Sequence, residues 1–172
     1  MRPSFDAAFR AEFPSLHRYL ARRVGPAAAD DLAAETFAVA FRNWDRLDPA
    51  RAVRPWLYGI AANLLRHHWR KERRMLRAYA RTGVDPVFSA DDEAVERADA
   101  TTRRRELAAM LASLRRDERE ILLLHAWAEL TDTEIAEALG LPIGTMKSRF
   151  SRTREKLRNQ LGDLGQETVE TP

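Results

Sequence analysis

Apolar residues recur at spacings of three and four along almost the whole chain, and this periodicity limits the fold more than any other feature. Turn-forming pairs such as Gly25-Pro26 and Asp48-Pro49 interrupt the pattern. No convincing alternating run of apolar and polar residues predicts a β-strand. We therefore predict an all-α fold with two small helical domains joined by a flexible linker, the second domain containing a helix-turn-helix.

The interruptions also predict where the domains lie. One helix is expected to end at Gly25-Pro26, a second carries Leu32 to Trp44, and a third opens at Pro55. The apolar stripe then fails over a segment rich in acids and turn-forming residues, and it returns near Leu107. The predicted segments are a first domain over 1–77, an acidic linker over 78–101, a second domain over 102–161 and a tail over 162–172.

Composition excludes several classes of function. The chain has 172 residues and no cysteine, which excludes disulfide scaffolds, thiol nucleophiles and cysteine-ligated zinc. The longest apolar runs cover about one helical turn, so no membrane insertion is expected, and the N-terminus lacks the apolar core of a signal peptide. No nucleotide-binding loop, metal cluster or catalytic set has a recognisable spacing. We expect a cytoplasmic protein that is not an enzyme and needs no cofactor.

Charge is distributed unevenly, although the net formal charge is only +3. Residues 51–81 contain nine Arg and Lys against the single acid Glu72. Residues 143–159 contain six against Glu155 alone, and between these segments residues 82–100 contain six acids against one Arg. Two basic segments on folded elements are typical of a nucleic-acid partner, although each alone could be a solvated helix face.

The second basic segment follows the sharpest motif in the chain. Thr131 and Glu134 have the spacing of a capping box, and Gly140 ends the helix that this box begins. A second helix follows near Gly144, so the pattern predicts a helix-turn-helix whose second helix suits the major groove. An ordinary pair of antiparallel helices is the alternative. The residues expected on the outward face are Thr145, Ser148, Arg149, Arg152 and Lys156.

The first basic segment, residues 54–74, interleaves aromatic residues with arginines. Rings that stack on bases and guanidinium groups that hold phosphates suit unpaired single-stranded DNA, and the amide of Asn63 could bind a base edge. The alternative is structural, because Trp56, Leu57 and Ile60 have helical spacing and fit a core.

Three stretches together resemble the extracytoplasmic-function sigma factors, the small two-domain initiation factors of bacterial RNA polymerase. They are AADDLAAETFAVAFRNWDRLD, RPWLYGIAANLLRHHWRKERR and LTDTEIAEALGLPIGTMKSRFSRTREKLR. The order, spacing and total length agree with that family. The chain departs from the family pattern at Ala62, where Arg is frequent, at His67, where Asp is frequent, and at Arg115, where Pro is frequent.

The resemblance implies a sigma factor that binds core RNA polymerase, directs it to promoters and assists opening of the −10 element. One helix would dock on the clamp helices of the polymerase, and the second domain would also contact its flap. The residues implied in core binding are Asp30, Asp31, Glu35, Phe37 and Arg42.

The resemblance also implies which residues bind promoter DNA, as a single strand at −10 and as a duplex at −35. An anti-sigma factor is a further partner whose existence the sequence leaves open. At −10 the implied residues are Asn63, Arg66, His67, Arg70, Lys71, Arg73 and Arg74. At −35 they are Thr145, Lys147, Ser148, Arg149, Ser151 and Arg152.

Two other functions remain open at this point. A dimeric helix-turn-helix regulator would bind an operator duplex without polymerase, but one basic segment then lies in the supposed regulatory part. A helical interaction module would use its basic faces to bind an acidic protein or RNA, and it would be insensitive to DNA sequence.

Overall fold

The computed structural model describes residues 3–48, 50–66, 68–82 and 97–167. Within these ranges, only the backbone is described at residues 71, 97–101, 103 and 161–167. All regular structure in these ranges is helical, which confirms the predicted fold class. The elements are α1 (Phe5–Val24), α2 (Pro26–Arg42), a short 3-10 helix (Trp44–Arg46), α3 (Val53–Leu65), α4 (Trp69–Thr82), α5 (Arg97–Ser113), α6 (Arg116–Ala126), α7 (Asp132–Leu139) and α8 (Ile143–Glu167).

The first two helices form as the sequence predicts. The Ser4 side chain caps α1 by accepting a hydrogen bond from the Ala7 amide at 3.2 Å. Gly25 ends α1 with a positive φ of 89°, and Pro26 follows as the first residue of α2. The two helices pack as an antiparallel pair that buries Leu16 and Leu20 completely.

The chain bends between α3 and α4, within the first basic segment. Two tight bonds make this bend: the Arg66 amide donates to the Asn63 carbonyl at 3.2 Å, and the His68 amide donates to the Leu65 carbonyl at 2.9 Å. The sequence did not predict a separate helix here, because no proline or glycine marks the break. As a result, the basic residues after Leu65 lie on a helix of their own.

The helix-turn-helix is present in the second half of the chain. The Thr131 side chain accepts from the Glu134 amide at 3.3 Å, and the Glu134 carboxylate accepts from the Thr131 amide at 2.9 Å, which completes the capping box. Gly140 adopts the left-handed conformation with φ 63° and ψ 36°. The next helix, α8, begins at Ile143 and continues to Glu167, into the segment predicted as a tail.

One cluster of buried apolar side chains extends through both halves of the chain, from Leu16 in α1 to Met146 in α8. Helix α4 packs against α5, and α3 packs against α7, so the two predicted domains are in direct contact. Both α4 and α5 extend into the predicted linker 78–101, of which residues 83–96 lie outside the described residues. No helix among the described residues is long and apolar enough to cross a membrane.

Candidate nucleic-acid interface and partner-binding face

One face of α2 is exposed along its whole length. The acids implied in core binding, Asp30, Asp31 and Glu35, are all exposed on this face, and Arg42 is exposed at its C-terminal end. The imidazole Nε2 of His17 lies 2.7 Å from Asp30 Oδ1, although the Asp30 side chain remains 73% exposed. The structure therefore brings these four charged residues together on one accessible helix face.

Phe37 does not lie on that face. Its side chain is 4% exposed and packs edge-on against Phe9, with ring centroids 4.7 Å apart. One turn further along α2, Phe41 is 65% exposed and contacts the ring of Phe5 at 5.0 Å. The phenylalanine of α2 that a partner can reach is thus Phe41, which the sequence analysis did not select. Sequence spacing could not have identified Phe41, because positions four apart on a helix lie on the same side and Phe37 is buried.

The α8 residues implied in −35 binding fall into two groups. Arg149 is half-buried, and its Nη1 lies 3.2 Å from Asp117 Oδ2 on α6. Lys156, which was also expected to point outward, is half-buried and its Nζ lies 3.5 Å from Glu118 Oε2. Both side chains therefore bridge α8 to α6. The members that are freely exposed on α8 are Thr145, Lys147, Ser148, Ser151 and Arg152.

The residues implied in −10 binding surround the bend between α3 and α4. Asn63 and Arg66 are exposed, and Arg66 Nη2 donates to Asn63 Oδ1 at 2.7 Å. Arg70 and Arg74 are exposed on α4, whereas Arg73 is half-buried. His67 lies outside the described residues, as does the side chain of Lys71.

The aromatic residues of this segment are largely structural. Tyr58 is fully buried, and Trp56 and Trp69 are half-buried. The Arg73 guanidinium lies over the Trp69 ring at 5.4 Å. Tyr58 therefore cannot stack on a base in this arrangement, which agrees with the structural alternative for the helical stripe.

A cluster of charged side chains is buried between α1, α4 and α6. We call Tyr19, Arg23, Glu72, Arg119 and Glu120 the buried charge cluster; each is 5% exposed or less. Arg23 Nε donates to Glu72 Oε1 at 2.8 Å, and Arg23 Nη1 donates to Glu120 Oε1 at 2.7 Å. Arg119 Nη1 lies 3.4 Å from Glu72 Oε2. The cluster holds two positive and two negative side chains, so it is neutral overall.

Burial and pairing shift the pKa values of this cluster in opposite directions. Burial lowers the pKa of Arg119, and the Glu72 carboxylate only partly compensates. For Arg23, burial also acts to lower the pKa, but the Glu120 and Glu72 carboxylates raise it well above the ordinary value. Burial raises the pKa of Tyr19 well above its ordinary value. Arg23 is therefore held firmly as a cation, and Tyr19 as a neutral hydrogen-bond donor to Glu120 at 2.8 Å.

Sequence reasoning missed this cluster because its members are far apart in the chain. The one available signal was Glu72, the single acid among nine basic residues in 51–81. In the structure this acid contacts two arginines from other elements, Arg23 and Arg119.

The two halves of the chain also touch at α3 and α7. A Cβ atom placed on Gly59 would lie only 2.6 Å from the carbonyl oxygen of Ala138, so the two helices approach as closely as a glycine allows. Beside this contact, Arg51 Nε donates to Glu137 Oε1 at 3.1 Å, and Arg54 Nη2 donates to the Ala128 carbonyl at 2.8 Å.

Family models match the two halves separately. The model of sigma-70 region 2 matches residues 8–75, and the model of sigma-70, region 4 matches residues 104–157. The first match covers α1 to α3 and half of α4, and the second covers the helix-turn-helix. A helical protein in which region 2 is followed by region 4 is a sigma factor of the sigma-70 class.

Sequence similarity to individual proteins identifies the family within this class. The chain is 34% identical to RNA polymerase sigma factor CarQ of Myxococcus xanthus over 164 residues, covering 94% of this chain and 91% of that protein. It is 30% identical to ECF RNA polymerase sigma factor SigC of Mycobacterium tuberculosis, covering 90% and 81%. The chain belongs to the extracytoplasmic-function sigma factors, which direct promoter-specific transcription initiation by RNA polymerase.

Two solved structures have a fold similar to that of this chain. The sigma factor RpoE of Bartonella quintana, in complex with the anti-sigma factor NepR, superposes with a TM-score of 0.61 at 24% identity, covering 92% of this chain and 96% of that one. The structure of CnrH in complex with the cytosolic domain of CnrY gives a TM-score of 0.65 at 24% identity, covering 92% and 88%.

Proposed function

We propose that the exposed face of α2 binds the clamp helices of core RNA polymerase. The observation that carries this assignment is the presence of three acids and one exposed aromatic ring on a single helix face. Carboxylates complement a basic partner surface, and an exposed phenylalanine supplies the apolar anchor that interfaces concentrate at their centre. The proposed contact residues are Asp30, Asp31, Glu35, Phe41 and Arg42, and the buried Phe37 supports them from the core.

The exposed side of α8 is proposed to bind the −35 element as a duplex. Thr145 and Ser148 are short hydroxyl side chains near its N-terminal end, where a recognition helix meets base edges and phosphates. Arg152 is one turn further and is exposed, so its guanidinium can reach guanine O6 and N7. Lys147 and Ser151 complete this face. Arg149 contributes by fixing α8 to α6 through Asp117.

The bend between α3 and α4 is proposed to hold the unpaired strand of the −10 element. Asn63 and Arg66 form one exposed hydrogen-bonded pair, and Arg70 and Arg74 follow as exposed cations on α4. This combination binds bases through the amide and phosphates through the guanidinium groups. Arg73 joins this group only if it leaves its bond to Ala112, and His67 and Lys71 stay predictions from the family resemblance.

The chain is proposed to act by binding alone, within the cytoplasm, while core polymerase performs nucleotidyl transfer. Two DNA-binding surfaces on one polymerase-bound chain raise each other's effective concentration, which sharpens promoter selection without any covalent chemistry. An anti-sigma factor is proposed as a further partner, because one structure of similar fold contains a sigma factor bound to an anti-sigma factor.

Permanganate footprinting of a promoter with purified core polymerase tests this function. Unpaired thymines are expected in the −10 element only when core and this chain are both present. Asp31→Arg is expected to abolish the signal together with co-elution on core, because it places a positive charge against a basic surface. Asp45→Arg is the matched control, since Asp45 is exposed in the same domain but lies in the 3-10 helix after α2 and outside the proposed contact set. Co-elution unaffected by Asp31→Arg contradicts the α2 assignment.

A further inference from the structure

The exposed side of α4 is a single line of arginines. Among the α4 side chains that the structure describes, four arginines and Thr82 are exposed. We call the four, which are Arg70, Arg74, Arg77 and Arg81, the α4 arginine stripe. Their spacing of four, three and four residues places all of them within an arc of about 60° on the helix and over about 16 Å of its length. The four guanidinium groups therefore form one continuous positive strip.

The charges of α4 are sorted between its two sides. Glu72, the one acid of this helix, is buried and pairs with Arg23 and Arg119. Arg73 is half-buried and donates to the Ala112 carbonyl at 3.2 Å. Within the described part of the chain, no ion pair joins an arginine of the stripe to an acid. The exposed side of α4 therefore carries positive charge alone.

A line of like charges differs from an ordinary solvated helix face. Residues three or four positions apart on a helix are neighbours, so each arginine of the stripe lies beside another cation, and their repulsion destabilises the helix. A solvent-exposed face typically alternates the signs of its charges and so avoids this repulsion. A polyanion would remove it, because each guanidinium group would then face a negative charge. The pattern therefore indicates a partner with several negative charges in a row.

Three of the four arginines also face one open space. The members of the stripe that follow Arg70 line a groove beside α5. On the α5 side this groove is lined by small, uncharged side chains, those of Ala109, Ala112 and Ser113. These side chains neither cover nor neutralise the guanidinium groups. The three arginines are therefore accessible together to one partner.

The composition of the stripe favours the phosphates of duplex DNA over unpaired bases. Proteins hold single-stranded DNA with aromatic rings that stack on the bases, but the rings of α4, Trp69 and Tyr79, are half-buried. Arginines that contact phosphates position a duplex without reading its sequence. Over about 16 Å of its axis, duplex DNA carries about nine phosphates on its two strands, so every cation of the stripe can meet one.

The stripe begins within the proposed −10 surface and continues beyond it. Arg70 and Arg74 belong to that surface, whereas Arg77 and Arg81 follow residue 75, where the region 2 match ends. We propose that Arg77 and Arg81 bind phosphates of the duplex that adjoins the −10 element on its −35 side. This is the duplex that the chain would hold at both ends, through α4 and α8. The proposal rests on the function proposed above, and it adds a duplex-binding site that does not read sequence.

Arg77→Gln combined with Arg81→Gln removes the two proposed contacts. Glutamine favours helices nearly as strongly as arginine, so α4 should remain folded, which a thermal melt verifies. The matched control is Arg10→Gln combined with Arg22→Gln on α1, because both arginines are exposed and the loss of charge is the same. A second control replaces Arg77 and Arg81 with lysine, which keeps the charge.

The readout is the salt dependence with which each chain, bound to core polymerase, binds a forked promoter that is unpaired at −10 and duplex on the −35 side. Each lost contact to a duplex phosphate lowers the slope of log affinity against log salt by about 0.9. The glutamine pair on α4 should therefore lower the slope by about 1.8. Between about 50 and 200 mM salt, the parent should lose about twelvefold more affinity than this variant. Both controls should keep the parent slope.

A second template locates the contacts. It ends at the −10 element and has no duplex on the −35 side, so the glutamine pair on α4 should have the parent slope on it. On the forked promoter, replacing the duplex next to the −10 element with another sequence of equal length should leave the ratio of parent to variant affinity unchanged, because phosphate contacts carry no sequence information.

Three results would overturn the proposal. An unchanged slope on the forked promoter would show that Arg77 and Arg81 bind no phosphate. An equal loss of slope on both templates would place them on the unpaired strand, and a ratio that varies with the duplex sequence would show that they read bases. If the parent forms no promoter complex with core polymerase, the proposed function fails by itself. The slopes of parent and variant on a plain duplex without polymerase then decide whether the two arginines bind duplex phosphates.

Discussion

Phe37 and Phe41 lie one turn apart on α2, yet their surroundings are opposite. Phe37 is in the core, so Phe37→Ala is expected to lower the free energy of unfolding by about 3–5 kcal/mol. Phe41→Ala removes a ring that is 65% exposed and should cost about 1 kcal/mol or less, while weakening binding to core polymerase about tenfold. Urea denaturation measures the free energy of unfolding of each variant, and a titration with core polymerase measures its binding. Equal loss of stability in the two variants contradicts this distinction.

Arg149 and Arg152 also have different environments on α8. Arg152 is exposed, and Arg152→Ala is expected to lower −35 selectivity by about 1–3 kcal/mol at one base pair while polymerase binding stays intact. Arg149→Ala is expected to act through the α6–α8 contact, so Asp117→Asn should reproduce its effect. Binding to promoter variants that differ in single −35 base pairs separates the two roles. Loss of core binding with Arg152→Ala would rule out its assignment to DNA.

Because of Tyr19, the free energy of unfolding is expected to depend on pH in the alkaline range. Its pKa is raised in the folded protein by burial, whereas an unfolded tyrosine titrates near pH 10. Above about pH 10 the unfolded chain releases this proton and the folded chain retains it, so stability falls as pH rises. Tyr58, whose pKa burial also raises, adds to the same trend. Tyr19→Phe should reduce the slope measured by denaturation between pH 9 and 11, and an unchanged slope would show that Tyr19 does not titrate in this way.

At the scale of elements, the turn of the helix-turn-helix depends on Gly140. The φ angle of Gly140 is 63°, a left-handed value that residues with a Cβ atom adopt only at a cost in free energy. An added Cβ atom would nevertheless meet nothing within 4 Å. Gly140→Ala is therefore expected to lower the free energy of unfolding by about 1–2 kcal/mol through backbone strain alone. Gly144→Ala, within α8, is the comparison and should be neutral or stabilising. A neutral Gly140→Ala would mean that the turn relaxes to another conformation.

Local signals in the sequence predicted most of these elements. The Gly25-Pro26 boundary, the Thr131–Glu134 capping box and the Gly140 turn act within a few residues, so they can be identified without tertiary information. The bend after Leu65 and the extension of α8 to Glu167 carry no such local signal.

The functional residues that the family resemblance implies lie on α2, α3, α4 and α8 or next to them, and their roles stay predictions. The exposure of their side chains depends on the helices packed against them, which the sequence does not show. Phe37, Arg73 and Arg149 belong to the selected sets and are turned toward other elements. The domain boundaries at 77, 101 and 161 stay predictions.

At the scale of the whole molecule, contacts between residues far apart in the chain determine what the sequence could not show. Tyr19 and Glu120 are 101 positions apart, and Arg23 and Glu72 are 49 apart. No periodicity or motif predicts such pairs. A stretch rich in Arg and Glu before an apolar run predicts only the start of an ordinary amphipathic helix. The first of these contacts joins the two halves of the chain, as do the contacts from Arg23 to Glu120 and from Arg119 to Glu72.

Run-off transcription on a genomic fragment library, with purified core polymerase and with or without this chain, shows directly whether the chain selects promoters for the polymerase. A sigma factor predicts new, defined start sites that require the chain, and alignment of their upstream sequences should give two conserved elements, the −35 and the −10 element. Both elements should lose definition with Asp31→Arg, which blocks core binding, and the −35 element alone with Arg152→Ala. Tight, specific binding to a palindromic duplex with no new transcript would contradict a sigma-factor function and favour a dimeric regulator.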